Sequence, residues 1–427
     1  HNLLPPAITG FAKTSGIAVF ILIVLISHFS LESLAQVLNL KTLKKGVPAE
    51  FDDDIQPDEY QKTQKYIRAH TGLNLLKETI GLIITLVFLC SGGFNLLDVL
   101  LRSLNLGAIF TGILYLGILM LATALLDIPF AVYSTFSIEE RFGLNRTTIT
   151  TFISDRIKGF FLAIILGVPL LGLILWFFER TGNWAWIACW SGVTLFTIII
   201  QFLAPVLIMP LFNRFTPMED GELKDIINDY AQQEKFQIQG IYTMDGSKRS
   251  TKLNAFFTGF GRTRKIVFYD TLIRKLSHNE ILSVLAHEMG HYRRHHLLKM
   301  LTASILQTGL VFFLLSQIMG NSLLFAAFGM EHISFYAGLV FFGFLYTPVN
   351  LFLSLIINWL SRHHEYQADR YVTDSSGRQK DLISGLKKLG LSNMAHLTPH
   401  PLTTILHASH PPLNDRIRKI IEQDKDQ

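Results

Sequence analysis

Seven runs of mostly apolar residues divide this chain, at roughly 12–31, 79–101, 106–126, 159–178, 185–212, 298–319 and 335–360. Each is long enough to cross the hydrocarbon of a bilayer as a helix, which takes about 20 residues. Only lipid can cover that many apolar helices, so the expected fold is an all-α, multi-span membrane protein. Composition agrees: 49% of the 427 residues are hydrophobic and 17% charged, where soluble domains carry about a quarter. Cys90 and Cys189 both sit in apolar runs, so neither a disulfide nor a cysteine metal site is expected. The first run lacks a small-residue cleavage pattern and is read as a retained helix, not a leader.

Charge then sets the topology. The loop after the first run carries Lys41, Lys44, Lys45, Lys62, Lys65 and Arg68, and the loop after the third has Arg141, Arg146, Arg156 and Lys158. The long stretch after the fifth, about 213–297, is also rich in Lys and Arg. The loops after the second and fourth runs hold only Arg102 and Arg180, and that after the sixth, about 320–334, holds no Lys or Arg. By the positive-inside rule the basic loops and the C-terminal segment are cytoplasmic. The expected division is 1–212 for five spans, 213–297 for a cytoplasmic region, 298–360 for two more spans, and 361–427 for a second cytoplasmic segment.

Just before the sixth run the sequence reads AHEMGHYRRHH. On a helix, residues four apart share a face, so the imidazoles of His287 and His291 can converge on one metal ion. Glu288 can address a water activated by that metal. Two His and a carboxylate base with an open coordination position make up a zinc hydrolase site. Ser277 and Glu280 fit a capping box at the start of the helix. A third ligand is needed, and the other cytoplasmic segment, SRHHEYQADRY, offers Glu365. Asp369, four residues on, can orient a ligand imidazole. His363 and His364 are rival ligands, read chiefly as solvated residues at the membrane boundary. One zinc ion per chain is expected; cobalt or manganese could occupy the same donor set.

Two weaker signals accompany the motif. NAFFTGFGRTRKIVFYD reads as two short strands about a Gly261-Arg262 turn. Asn254, Ala255 and Phe256 form either an edge for pairing with a peptide or part of an ordinary hairpin. His410 precedes two prolines in a stiff extended segment. It could meet a developing oxyanion, although the residues alone favour a structural loop histidine. Arg416 follows on a helix beginning near Pro412.

Together HEMGH, HEYQAD, NAFFTGFGRTRKIVFYDTL, PLFNRFTPMEDGELK, IEERFGLNRTT and SHPPLNDR resemble the type I CAAX prenyl endopeptidases, integral membrane zinc metalloproteases. The resemblance spans nearly the whole chain. It implies seven helices around a large chamber, with the metal site near the cytoplasmic side and a small β element beside it. It implies His287, His291 and Glu365 as zinc ligands and Glu288 as general base. Asn254 and His410 fall where the family contacts substrate or transition state. Asp369 falls at its ligand-orienting carboxylate and Arg416 at its motif arginine. Such enzymes remove a C-terminal tripeptide from a prenylated cysteine, and some cut a pheromone precursor further upstream. The chain departs from them in lacking a dilysine-type retrieval signal, and its non-cytoplasmic loops are short. Both features suit a bacterial inner-membrane homologue more than a resident of the endoplasmic reticulum.

The expected partners are a prenylated or other membrane-associated peptide and the bilayer, not nucleic acid; a monomer would suffice. Three readings compete with this one, and against the first, a catalytically dead scaffold, the intact ligands and base argue. A membrane quality-control protease of the heat-shock type would share the zinc motifs but have about four spans. A transporter would place ionisable groups deep in its spans, and the centres of these runs are nearly free of them.

Overall fold

Helices follow the apolar runs, but their ends obey local chemistry. The computed structural model describes residues 16–43, 46–51, 54–259 and 264–425. The start of the first run, Lys44, Lys45 and the Gly261-Arg262 turn lie outside them. Among the described residues, seven helices are long and apolar enough to cross a membrane. They are α1 (Gly16–Thr42), α2 (Pro57–Cys90), α3 (Ala108–Phe142), α4 (Ile149–Arg180), α5 (Gly182–Phe212) and, after an intervening α6 (His278–Arg293), α7 (His296–Ile318) and α8 (Phe335–Ser376). Helix α9 (Leu413–Lys425) follows.

The second run is not one span. Helix α2 stops at Cys90, and Gly92 takes a left-handed φ of 72°, a conformation open to glycine at little cost. A separate short helix, Gly93–Arg102, completes the apolar stretch. At its other end α2 starts at Pro57, with Asp58 and Glu59 in the first turn, favourable for the helix dipole. The polar residues 57–78 therefore belong to the same helix. The helices thus carry ionisable residues just beyond the ends of the apolar runs. Lys77 pairs with Asp127 of α3 at 3.0 Å, and Gln36 of α1 donates to Glu78 at 2.8 Å.

Each long helix packs on the next: α1 on α2, α2 on α3, then α4, α5, α7 and α8, which returns to α1. The ring is closed but not filled. Among the described residues, none is buried in 72–88 of α2, 116–137 of α3, 149–174 of α4, 190–212 of α5, 297–308 of α7 or 343–363 of α8. Burial gathers at one end, where Phe94, Tyr115, Leu175, Phe328, Tyr336 and Phe341 pack together. Asp98 is fully buried there, accepting from the Tyr336 hydroxyl and from Arg102 Nε. The helices thus meet at an aromatic floor and part toward the other end, bounding a chamber.

The open end carries a packed headpiece. Its sheet has four strands, β1 (Phe215–Pro217), β2 (Gly240–Met244), β3 (Ala255–Thr258) and β4 (Lys265–Tyr269), in the order β1-β2-β4-β3. β3 and β4 form the expected antiparallel pair, with Phe256 opposite Val267, but β4 also pairs in parallel with β2. β3 is therefore an edge. The pair does not lead straight into the motif helix, because the helix Asp270–Lys275 intervenes. Ile227, Phe268, Leu272, Ile281, Leu285 and Ile417 join sheet and helices in one core. The headpiece is tied to the ring by an Asn145–Ser250 bridge and by Lys252, whose Nζ lies 2.9 Å from Glu139 at the end of α3.

Candidate active site

Helix α6 is fixed at both ends. Ser277 Oγ accepts from the Glu280 N–H while Glu280 accepts from the Ser277 N–H, a complete capping box. Ile281, Leu282, Leu285 and Met289 point into the headpiece core, which turns the other face, with His287, Glu288 and His291, toward α8 and the cavity. Gly290 permits close contact with α8. A Cβ there would lie 3.0 Å from the Ala368 Cα and 3.1 Å from the Ala368 carbonyl oxygen, tighter than a packed core tolerates without a backbone shift.

That contact sets Glu365 against the two imidazoles. His287 Nε2 lies 3.2 Å from His291 Nε2 and 3.4 Å from Glu365 Oε2, and His291 Nε2 lies 3.1 Å from Glu365 Oε1. A tetrahedral ion holding N and O donors at about 2.0–2.1 Å would space them about 3.3 Å apart. Each pair of residues therefore offers donor atoms at a spacing that suits a small divalent cation, and among the described residues His287, His291 and Glu365 form the one such His/Cys/Asp/Glu group, with one ligand atom from each all within 4.8 Å of one another. The electrostatics point the same way. Burial works against a charged His287, but hydrogen bonds to Asp369 and Glu365 prevail and lift the imidazole to about 10. The pocket favours positive charge.

Asp369 Oδ1 accepts from His287 Nδ1 at 2.9 Å, leaving Nε2 to face the site. Arg416, only 6% exposed, grips Asp369 with Nε at 2.8 Å and Nη2 at 2.6 Å, and its Nη1 lies 3.3 Å from Glu365 Oε2. Helix α9 thus sets one guanidinium against the two carboxylates of α8. Glu288 lines the cavity beside the donor set, and burial pushes its carboxyl above the ordinary value, the useful direction for a proton carrier near neutral pH. His410 stands across the site, 64% exposed, with Nε2 3.3 Å from Glu365 Oε1. Asn254 is exposed on the same cavity at the head of β3; its Oδ1 accepts from the Ala255 N–H. The cavity measures about 1130 Å³ and runs along β3 past the donor set to α7.

The rival histidines separate. His363 is exposed and stacks on Trp359. His364 is not solvated as expected: it is 4% exposed and stacks on His296, with ring centroids 4.0 Å apart. His296 was not singled out in the sequence, yet its Nδ1 lies 2.9 Å from His291 Nδ1 and its Nε2 2.9 Å from Gln367 Oε1. The stretch AHEMGHYRRHH contains it, but a spacing of five falls off the helical face. The structure recovers it because His295 adopts φ 56° and turns the chain between α6 and α7.

Comparison with known proteins agrees with this arrangement. Residues 36–214 match a family described as CAAX prenyl protease N-terminal, five membrane helices, and residues 217–424 match peptidase family M48. The chain is 33% identical to CAAX prenyl protease 1 of Saccharomyces cerevisiae over 92% of each chain. It is 37% identical to the CAAX prenyl protease 1 homolog of Arabidopsis thaliana over 73% of each. Among solved structures it is similar to S. mikatae Ste24p, with a TM-score of 0.91 at 32% identity, covering 96% of this chain and 100% of that one.

Proposed function

The chain belongs to the CAAX prenyl protease group of peptidase family M48, and from that premise we propose that it hydrolyses peptide bonds near the C terminus of prenylated proteins, with His287, His291 and Glu365 holding zinc. The observation that carries the reading is the convergence of the two Nε2 atoms, 3.2 Å apart, on the Glu365 carboxylate, whose oxygens lie 3.4 Å from His287 and 3.1 Å from His291. Bound there, zinc would supply Lewis acidity to the scissile carbonyl and lower the pKa of water toward about 7.

The chain's own groups do the rest. Glu288 takes the proton of the attacking water and returns it to the leaving amine. His410 donates to the carbonyl oxygen as charge develops on it. Asp369 and Arg416 hold His287 and Glu365 in place. A peptide pairs with the free edge of β3 at Asn254, Ala255 and Phe256. The chamber shelters the prenyl chain, worth on the order of 0.8 kcal/mol per buried CH₂, while the peptide reaches the site. The distribution of Lys and Arg supports a cytoplasmic-facing site, in a bacterial inner membrane or, in a eukaryote, the endoplasmic reticulum. One chain contains every group the reaction uses.

Cleavage of a farnesylated C-a-a-X peptide by the purified chain, with and without a zinc chelator, tests the reading. Activity that survives full metal removal would refute it. Glu288→Gln should keep the metal and lose turnover. His410→Ala should lower kcat by about 10²–10³, the usual effect of removing an oxyanion donor; a change in KM alone would make His410 a binding residue.

A further inference from the structure

The two imidazoles of the donor set are supported differently. A histidine that binds metal through Nε2 must carry its proton on Nδ1, and the partner of Nδ1 decides whether it does. For His287 that partner is the Asp369 carboxylate. For His291 it is another imidazole, that of His296.

Gln367 of α8 sets the order of donors and acceptors. Its Oε1, 2.9 Å from His296 Nε2, can only accept. His296 Nε2 therefore carries a proton. His296 is 3% exposed and stacked on His364, and in its neutral form its Nδ1 is then an acceptor. His291 Nδ1, 2.9 Å away, must donate to it, which leaves the His291 Nε2 lone pair facing Glu365 and His287. The chain geometry serves the same end. His295 holds a left-handed φ of 56°, uncommon for a non-glycine residue, and the turn brings His296 back under His291.

We propose that His296, set by Gln367, is a positioning residue that fixes the tautomer and plane of His291 for metal binding. The proposal rests on His291 being a ligand, so the experiment includes a direct check of that reading.

Zinc affinity of the detergent-solubilised full chain, measured by competition with a chromophoric chelator, needs no peptidase activity. His296→Leu should weaken zinc binding about 10–100-fold, as is usual when a ligand's hydrogen-bond partner is removed. His296→Asn, whose Oδ1 can stand in for Nδ1, should recover most of the loss. Gln367→Leu should weaken binding less than His296→Leu. Thermal unfolding of the metal-free variants reports folding; if His296→Leu does not fold, Gln367→Leu decides. Unchanged affinity in a folded His296→Leu, or in Gln367→Leu standing in for it, overturns the proposal. So does a His296→Asn as weak as His296→Leu. His291→Ala separates the two readings: if it keeps wild-type affinity, the ligand assignment itself fails; if it loses zinc while His296→Leu does not, only the relay fails.

Discussion

Helix α8 passes through two environments. From 343 to 363 it has no buried side chain, whereas His364, Glu365, Ala368, Asp369, Val372 and Thr373, in its last turns, are all buried. The first stretch forms part of a ring whose inner surface is left open. The second is clamped between α6 and α9 in the headpiece core. This membrane metalloendopeptidase concentrates its packing in the floor and the headpiece. The ring needs helices of the right length and apolarity, joined at one end by an aromatic floor. The headpiece needs particular side chains at particular places, because donor atoms must be held to a fraction of an ångström.

The contrast can be broken from the headpiece side first. Arg416→Ala would strand the buried Asp369 and Glu365 carboxylates without their guanidinium. The expected loss is about 3–5 kcal/mol of stability, read by thermal unfolding of the metal-free protein in detergent. A loss under 1 kcal/mol would mean that the guanidinium of α9 does not stabilise the site. Next, Ile281→Ala and Ile165→Ala make the same chemical change in the two regions. Ile281 is fully buried and should cost about 2–5 kcal/mol. Ile165 is 65% exposed on α4 and should stay within about 0.5 kcal/mol. Equal costs would mean that the ring is packed after all. The smallest effect is expected at Lys77. Its pair with Asp127 leaves both side chains more than 40% exposed, so Lys77→Ala should change stability by about 0–1 kcal/mol. A larger loss would mark that pair as a desolvated strut within the ring.

The sequence exposed most of this contrast, unevenly. Spans announce themselves because lipid demands long apolar runs, and the number seven survives in the structure. Their ends do not. The residues on both sides of Ser91-Gly92 are apolar, so composition cannot show the break that one left-handed glycine makes. Lys77, Glu78 and Asp127 fall outside or at the margins of the apolar runs, yet the helices continue through them. In the headpiece the motif helix was legible through its capping box and the His287–His291 spacing. The β3–β4 pair was legible through two short apolar runs on either side of Gly261-Arg262. β1 and β2 were not, being three and five residues long and paired across distant sequence. His296 and Gln367 were hidden for a related reason: no periodicity links residues on opposite sides of a left-handed turn, or 71 positions apart.

One rod joins the two regions. Helix α8 carries Tyr336 and Phe341 in the floor and Glu365 beside the imidazoles, with Pro348 between them. Proline removes one backbone hydrogen bond and wedges the preceding turn, so the rod has a single soft joint. A single span thus answers to the membrane at one end and to the packed headpiece at the other.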